Sequence, residues 1–312
     1  MLAVRLTDGR PVVVDVPVPD GAGVPVRVAA SGICGSDLSM IDEGWPLTVT
    51  LGHEVAGWAP DGTPVAIEPL QPCGHCELCV SGAYHLCADV PFSMIGIGVD
   101  GGMAETVLVP ERCLVRLPAE LAIGDASLVE PLAVALHGLH LVGHRASDRV
   151  AVIGAGTIGL SAVAAVVGRG GGADVAARHD HQRLAAERLG GTVGTADGYD
   201  VVVETAGTEE ALRQAVRVCR PGGTVLLLSM HWHPTSTPGV AMWLKEVRLV
   251  PSITYSTHDG TREIDEAAAL LAGSPGIGGT IITHRFPLDA AAEAFAVAAD
   301  RSAGAIKVVL EP

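Results

Sequence analysis

The sequence predicts an α/β protein in two parts, an irregular β-rich domain and a doubly wound parallel-sheet domain. Three observations predict it. Short β-like runs fill the chain before about Ser127, strand and helix patterns alternate after it, and a glycine-bearing turn at Gly154–Gly159 joins an apolar strand to a helix. Composition agrees: of 312 residues 48% are hydrophobic and only 3% aromatic, so the core must be built of Val, Ala, Leu and Ile. Strands buried on both faces use such residues.

In chain order, Pro11–Val16 and Val24–Ala30 read as strands punctuated by Gly, Pro and Asp. A Gly- and Cys-rich loop region follows from about Ile33 to Gly102, then strands at Ala104–Val109 and Cys113–Leu117. Pro131–Val142 suits a helix. Arg149–Ile153, Ala173–Ala177, Asp200–Glu204 and Thr224–Ser229 then read as strands, with helices at Gly159–Val167, His181–Leu189 and Glu209–Cys219 between them. Such alternation implies a parallel sheet. Only Gly190–Tyr199 separates one of these helices from the next strand, fewer residues than a helical crossover needs. One βα unit is therefore expected to be trimmed, leaving at most a short strand near Thr192–Gly194. A helix at Arg262–Leu271, a strand, a helix at Leu288–Ala298 and a strand at Ile306–Leu310 close the chain. The expected division is residues 1–126 with 257–312 for the β-rich domain and 127–256 for the sheet domain.

The formal charge of −15, with no basic stripe, argues against nucleic acid as a partner. Met1–Arg5 turns polar at once, unlike a signal peptide, and no uncharged apolar run reaches the roughly 18–20 residues of a membrane helix. The expectation is a soluble cytoplasmic protein with no membrane partner. Its seven cysteines then lie in a reducing compartment, where clustering favours metal over disulfides.

Cys73, Cys76, Cys79 and Cys87 form a C-x2-C-x2-C-x7-C run. Two-residue gaps let thiolates converge from tight turns on a tetrahedral zinc, so a structural zinc is expected. An iron–sulfur cluster is the rival, although the bacterial ferredoxin run closes with x3-C-P, and here Ala88 follows a longer gap. In Gly154-Ala155-Gly156-Thr157-Ile158-Gly159 the first glycine permits a tight turn and the second lets a pyrophosphate approach. The third permits close helix–strand packing, and Thr157 and Ile158 open a helix whose N–H groups receive the phosphates. A flavin nucleotide would fit the same loop.

Gly32-Ile33-Cys34-Gly35-Ser36-Asp37, Leu51-Gly52-His53-Glu54, the four-cysteine run, Glu130-Pro131-Leu132 and the glycine turn occur in that order. With them the chain resembles the zinc-containing medium-chain alcohol dehydrogenases, nearest the polyol and threonine dehydrogenase branch, over nearly its whole length. The resemblance implies a GroES-like catalytic domain, a Rossmann domain and an active site in the cleft between them. It implies Cys34, His53 and Glu130 as ligands of a catalytic zinc with one position open to substrate. Glu54 is expected behind the metal, either binding it in some states or forming a structural salt bridge. Asp37 is expected to orient His53, and Ser36 to be the first proton carrier. One departure stands out: Ser39 occupies a place where family members often carry a proton-relaying histidine.

Arg178-His179-Asp180-His181-Gln182-Arg183 follows the second strand of the sheet domain. Aligning Arg183-Leu184 with the family's usual basic–apolar pair puts Arg178 where an acid would read the ribose of NAD. A guanidinium there suits a 2′-phosphate, so NADP is the expected cofactor, with His179 and Arg183 beside it. In a register shifted by two, Asp180 would serve NAD instead. Thr205 and Ser229, at strand ends on the carboxyl edge of the sheet, are expected to contact cofactor as well. Trp45, Phe92, Ile95, His231 and Trp232 are candidate walls of the substrate pocket.

The expected reaction is reversible, zinc-assisted hydride transfer between NADP(H) and a small-molecule alcohol or ketone, a polyol or another secondary alcohol. With NADP, ketone reduction is the expected cellular direction. The alternative is a catalytically silent dinucleotide-binding sensor, suggested by Ser39 and the trimmed unit. The resemblance also implies a homodimer or homotetramer, for which the apolar strand Arg248–Tyr255 could pair across a two-fold axis.

Overall fold

Asp8 and Gly9 both have positive φ, 51° and 72°, and make the two-residue turn of a hairpin between β1 (Leu2–Thr7) and β2 (Arg10–Asp15). Both central residues of a type I′ turn need that conformation, and Asp-Gly meets it at low cost. Sequence patterning picked out only the second of these strands. The computed structural model describes residues 1–300 and 302–312, which fall into two units: Met1–Glu130 with Ser256–Pro312, and Pro131–Tyr255.

The first unit continues with β3 (Val24–Gly32), β4 (Glu54–Trp58), β5 (Pro64–Ile67), β6 (Thr106–Val109) and β7 (Leu114–Arg116). The second holds β8 (Arg149–Ile153), β9 (Gly172–Ala176), β10 (Thr192–Val193), β11 (Tyr199–Glu204), β12 (Cys219–Leu227) and β13 (Arg248–Pro251). The chain then returns to the first unit with β14 (Thr257–His258), β15 (Thr261–Arg262), β16 (Ile282–Pro287) and β17 (Lys307–Glu311). A helix over Gly276–Ile281, within a glycine-rich stretch, had no sequence signal.

In the first unit the strand order is β16-β17-β3-β4-β5-β7, with β6 also on β3. Alternate residues of these strands, Val26, Val28, Val55, Val65, Ile67, Val107 and Val109, pack into an apolar core that also takes Ile95. Ile95 is 1% exposed, so this candidate pocket residue belongs to the core instead. Register decides what meets at the end of β3. Gly32 pairs with Val309 of β17 on one side and with Glu54 of β4 on the other.

The second unit is a parallel sheet in the order β10-β9-β8-β11-β12-β13. Helices Thr157–Gly168, Asp180–Arg188, Glu209–Val218 and Gly239–Lys245 join successive strands. The trimmed unit lies between β10 and β11. Only Gly194–Gly198 carries the chain from the edge strand past β9 and β8. In place of a helix, Tyr199 is buried, 1% exposed, in the core of that face. Its hydroxyl accepts from Ala196 N at 2.8 Å and donates to Asp174 Oδ2 at 2.7 Å. The Arg149 guanidinium lies 5.0 Å from the ring centroid and donates to the carbonyls of Asp197 and Gly198. No helix among the described residues is long and apolar enough to cross a membrane.

If Tyr199 replaces the helix, removing its hydroxyl costs two part-buried hydrogen bonds, to Asp174 and from the Ala196 N–H. Tyr199→Phe should lower stability by about 0.5–1.5 kcal/mol, read as a lower denaturant midpoint with an unchanged slope. An unchanged midpoint would show that the ring alone holds the crossover.

Candidate functional site

Cys34 follows β3 and caps the helix Gly35–Asp42, because Asp37, three residues on, accepts from the Cys34 N–H at 3.0 Å. The other oxygen of Asp37 lies 3.4 Å from His53 Nδ1, and Ser36 Oγ lies 3.5 Å from His53 Nε2. His53 immediately precedes β4, so the pairing of β3 with β4 brings its ring to Cys34. Ligand atoms of Cys34, His53 and Glu54 all lie within 4.8 Å of one another. Glu130, near the start of the helix Val129–Leu141, is buried and acts electrostatically on His53, but it is not part of that set. In that set the carboxylate beside the cysteine and histidine is Glu54, and the expected ligand Glu130 lies outside it. Both glutamates were visible in sequence; their distances were not.

This cluster carries too much negative charge for its burial. Asp37, Glu54, Glu130, His53 and Lys307 are all buried, and Cys34 alone keeps partial exposure. Burial pushes Glu130 up to about 7 and raises Asp37 above the usual carboxylate range, with His53 partly offsetting both. His53 is held well above the ordinary imidazole range: burial opposes its charge, but Asp37 and Cys34 outweigh it. Three carboxyls and a thiol thus face one ammonium and one imidazole. Buried anions in such excess need a further cation, and the sulfur, imidazole and carboxylate donors suit zinc.

The four-cysteine run makes a second donor set, its sulfurs all within 4.8 Å of one another. Cys76 N donates to Cys73 Sγ at 3.3 Å and Cys73 N to Cys87 Sγ at 3.4 Å. Backbone N–H groups of His75 and Cys76 bring the Cys73 thiol down to about 7, whereas burial and the neighbouring Cys76 thiol push Cys79 up to about 12. Such thiols ionise together only around a cation. Sequence reasoning missed what ties this lobe down. Tyr84, between the third and fourth cysteines, donates to Glu68 Oε1 at 2.5 Å, and Glu68 pairs with Arg262 at 3.2 Å.

In the second unit the three glycines of the turn differ in why they are glycine. Gly154 has φ of +102°, and a methyl there would lie 2.8 Å from Thr205 Oγ1. A methyl on Gly159 would lie 2.0 Å from the Gly154 carbonyl oxygen. Gly156 is extended (φ −78°, ψ −170°), and a methyl there would meet nothing within 4 Å. Nothing in the chain demands glycine at that place, whereas a phosphate at the N-terminus of the helix Thr157–Gly168 would.

Two other expected cofactor residues, Thr205 and Ser229, spend their hydroxyls on the protein. Thr205 Oγ1 donates to the carbonyls of Ile153 and Gly154, bracing the turn from beneath. The Ser229 hydroxyl donates to the buried Glu204, which also accepts from Ala206 N and Gly207 N. His231 is held at Nδ1 by Thr235 and lies 3.4 Å from Ser229 Oγ at Nε2. Arg183 donates to the carbonyls of Ala177 and Arg178 and pairs with Asp180 at 2.6 Å. Arg178 is exposed and makes no ion pair among the described residues, and His179 stacks on His181 at 5.4 Å. Trp45 and Phe92 are exposed, at 49% and 81%.

A metal donor set on a β-rich unit, in a chain that also folds a parallel sheet with a phosphate-type glycine turn, points to a class of oxidoreductase. Residues 20–119 match the alcohol dehydrogenase GroES-like domain family, and residues 150–272 the zinc-binding dehydrogenase family. Galactitol 1-phosphate 5-dehydrogenase of Escherichia coli K12 is 31% identical, over 93% of this chain and 92% of its own. Sorbitol dehydrogenase of Bacillus subtilis is 32% identical, over 72% and 74%. Among solved structures, a zinc-binding dehydrogenase from Sinorhizobium meliloti bound to NADP superposes with a TM-score of 0.88 at 30% identity, over 100% and 99% of the two chains. Galactitol-1-phosphate dehydrogenase from Escherichia coli gives 0.88 at 29%, over the whole of both. The chain belongs to the zinc-containing medium-chain alcohol dehydrogenase family. It is a zinc-dependent alcohol dehydrogenase, and the silent-sensor alternative is set aside.

The charge imbalance sets a pH dependence for metal-stripped protein. Folded, Glu130 keeps its proton up to about 7, whereas the unfolded chain releases it near 4.5. The folded state then binds more protons over that window, so its stability falls as pH rises through it. Zinc loading should remove this loss. Thermal unfolding of stripped and loaded protein from pH 5 to 8 checks it, and a gap between them that does not widen with pH would contradict it.

Proposed function

We propose that this dehydrogenase moves a hydride between NADP(H) and the carbinol carbon of a polyol-like secondary alcohol, with Cys34, His53 and Glu54 holding the reacting zinc. One observation carries the reading: a buried excess of acidic groups around His53, with only Cys34 partly open. The names of the galactitol 1-phosphate and sorbitol dehydrogenases support a polyol substrate.

When bound, zinc supplies a Lewis acid that makes a substrate hydroxyl more acidic, and NADP supplies the hydride acceptor. The rest falls to the chain. Asp37 Oδ1, 3.4 Å from His53 Nδ1, favours a proton on that nitrogen and so leaves the Nε2 lone pair on the side of Ser36. Ser36 Oγ, partly exposed beside that nitrogen, takes the substrate proton and passes on its own. Ser39 cannot serve as a base near neutral pH, so the proton leaves through water.

The cofactor preference rests on Arg178. Asp180, the acid that would read an unphosphorylated ribose, is already paired with Arg183, while Arg178 is exposed at the end of the same loop. The Sinorhizobium relative's NADP supports the same choice. Arg178→Ala should raise KM for NADP by about 10- to 100-fold and leave KM for NAD nearly unchanged. Equal losses with both cofactors, or a wild-type preference for NAD, would overturn this.

Metal content and turnover test the zinc residues together. Cys34→Ala should cost one of two zincs and about a thousandfold in kcat/KM, about 4 kcal/mol of transition-state stabilisation. Glu54→Gln should lose that zinc more readily than Glu130→Gln does. The reverse order would make Glu130 the ligand, and Cys34→Ala with full activity would end the proposal.

A further inference from the structure

Lys307 opens β17 and is 2% exposed, the only buried lysine among the described residues. Its ammonium has three acceptors: Glu54 Oε1 at 2.7 Å, Glu54 Oε2, and the Ile33 carbonyl at 2.9 Å. Each acceptor residue adjoins a zinc-site residue, Ile33 next to Cys34 and Glu54 next to His53. The strand holds the same segment by its backbone too, since Ile33 N donates to the Val308 carbonyl at 2.9 Å.

Glu54 also has a wall beside it. A methyl on Gly32 would lie 2.0 Å from Glu54 Oε2, so only glycine leaves the carboxylate its place. Between Gly32 and Lys307 the carboxylate is confined, with an oxygen within 4.8 Å of the Cys34 and His53 ligand atoms. A buried ammonium is costly unless paired, and a ligating carboxylate is aimed by whatever bonds its remaining lone pairs.

We propose that Lys307 is a positioning residue of the metal centre, aiming Glu54 at the zinc while fixing Ile33, and through it Cys34, on the other side. This rests on the assignment of Cys34, His53 and Glu54 to the zinc. Lys307 is itself no part of the reacting chemistry. Its effect reaches the reaction only through the ligands it holds.

Lys307→Met keeps much of the volume and removes the charge and its donors, whereas Lys307→Arg keeps both. The four-cysteine zinc of the same chain serves as the internal reference. In chelator challenge of zinc-replete protein, Lys307→Met should release one zinc about 10- to 100-fold faster than wild type, with the other unchanged. Lys307→Arg should restore most of the slow release. With cobalt in the same site, the visible ligand-field bands should shift in Lys307→Met and return towards wild type in Lys307→Arg. Unchanged release and bands would overturn the proposal. So would equal acceleration of both metals, because that marks loss of the fold and not loss of aim. If Lys307→Met does not fold, Lys307→Gln, uncharged but still a hydrogen-bond donor, is read by the same outcomes. A wild-type chain with one zinc only, at the four cysteines, would instead sink the assignment of the site itself.

Discussion

The constraint on which the rest of this structure depends is electrical. Around His53 the fold buries three carboxyls beside a thiol, and it supplies a single lysine against them. Hydrogen bonds soften the imbalance: Asp37 takes the Cys34 N–H, and Lys307 takes both oxygens of Glu54. They do not remove it, because one ammonium and one backbone N–H return less than the desolvation cost of several buried charges. A divalent cation does. The same logic, with thiolates in place of carboxylates, governs the four-cysteine lobe, whose backbone N–H groups point at sulfur.

The sheet of the first unit exists to make that imbalance possible. Three strands distant in sequence, β3, β4 and β17, bring Cys34, His53 with Glu54, and Lys307 to one strand end. A slip of one residue would turn each side chain to the other face. Apolar alternation along β3 and β4, packed into a Val-rich core, fixes the register and so fixes the site. In the second unit, Gly154 and Gly159 are glycine because the chain folds back on itself, whereas at Gly156 no part of the chain comes close.

Much of this was legible in the sequence. The glycine turn, the cysteine run and the Cys34, Ser36, Asp37 and His53 motifs are local patterns, and local patterns survive without coordinates. So did the missing crossover helix, because ten residues cannot hold a helix and a crossing. What replaces it, Tyr199 bonded to Asp174, was invisible, since one buried tyrosine looks like any other. The choice between Glu54 and Glu130 was also hidden, for it turns on distances of a few ångströms. Lys307 lies 253 residues from its partner, and nothing in either neighbourhood announces the pair. Thr205 and Ser229 were placed at the right strand ends, but their hydroxyls are spent on the protein, which a strand-end rule does not foresee.

The most direct test of the central claim is diffraction from zinc-replete crystals on both sides of the zinc absorption edge. Two anomalous peaks per chain are expected, one among the four cysteine sulfurs and one bonded to Cys34, His53 and Glu54. A single peak at the cysteines, with those three side chains pointing apart, would contradict the claim that the buried charge here is built for a metal.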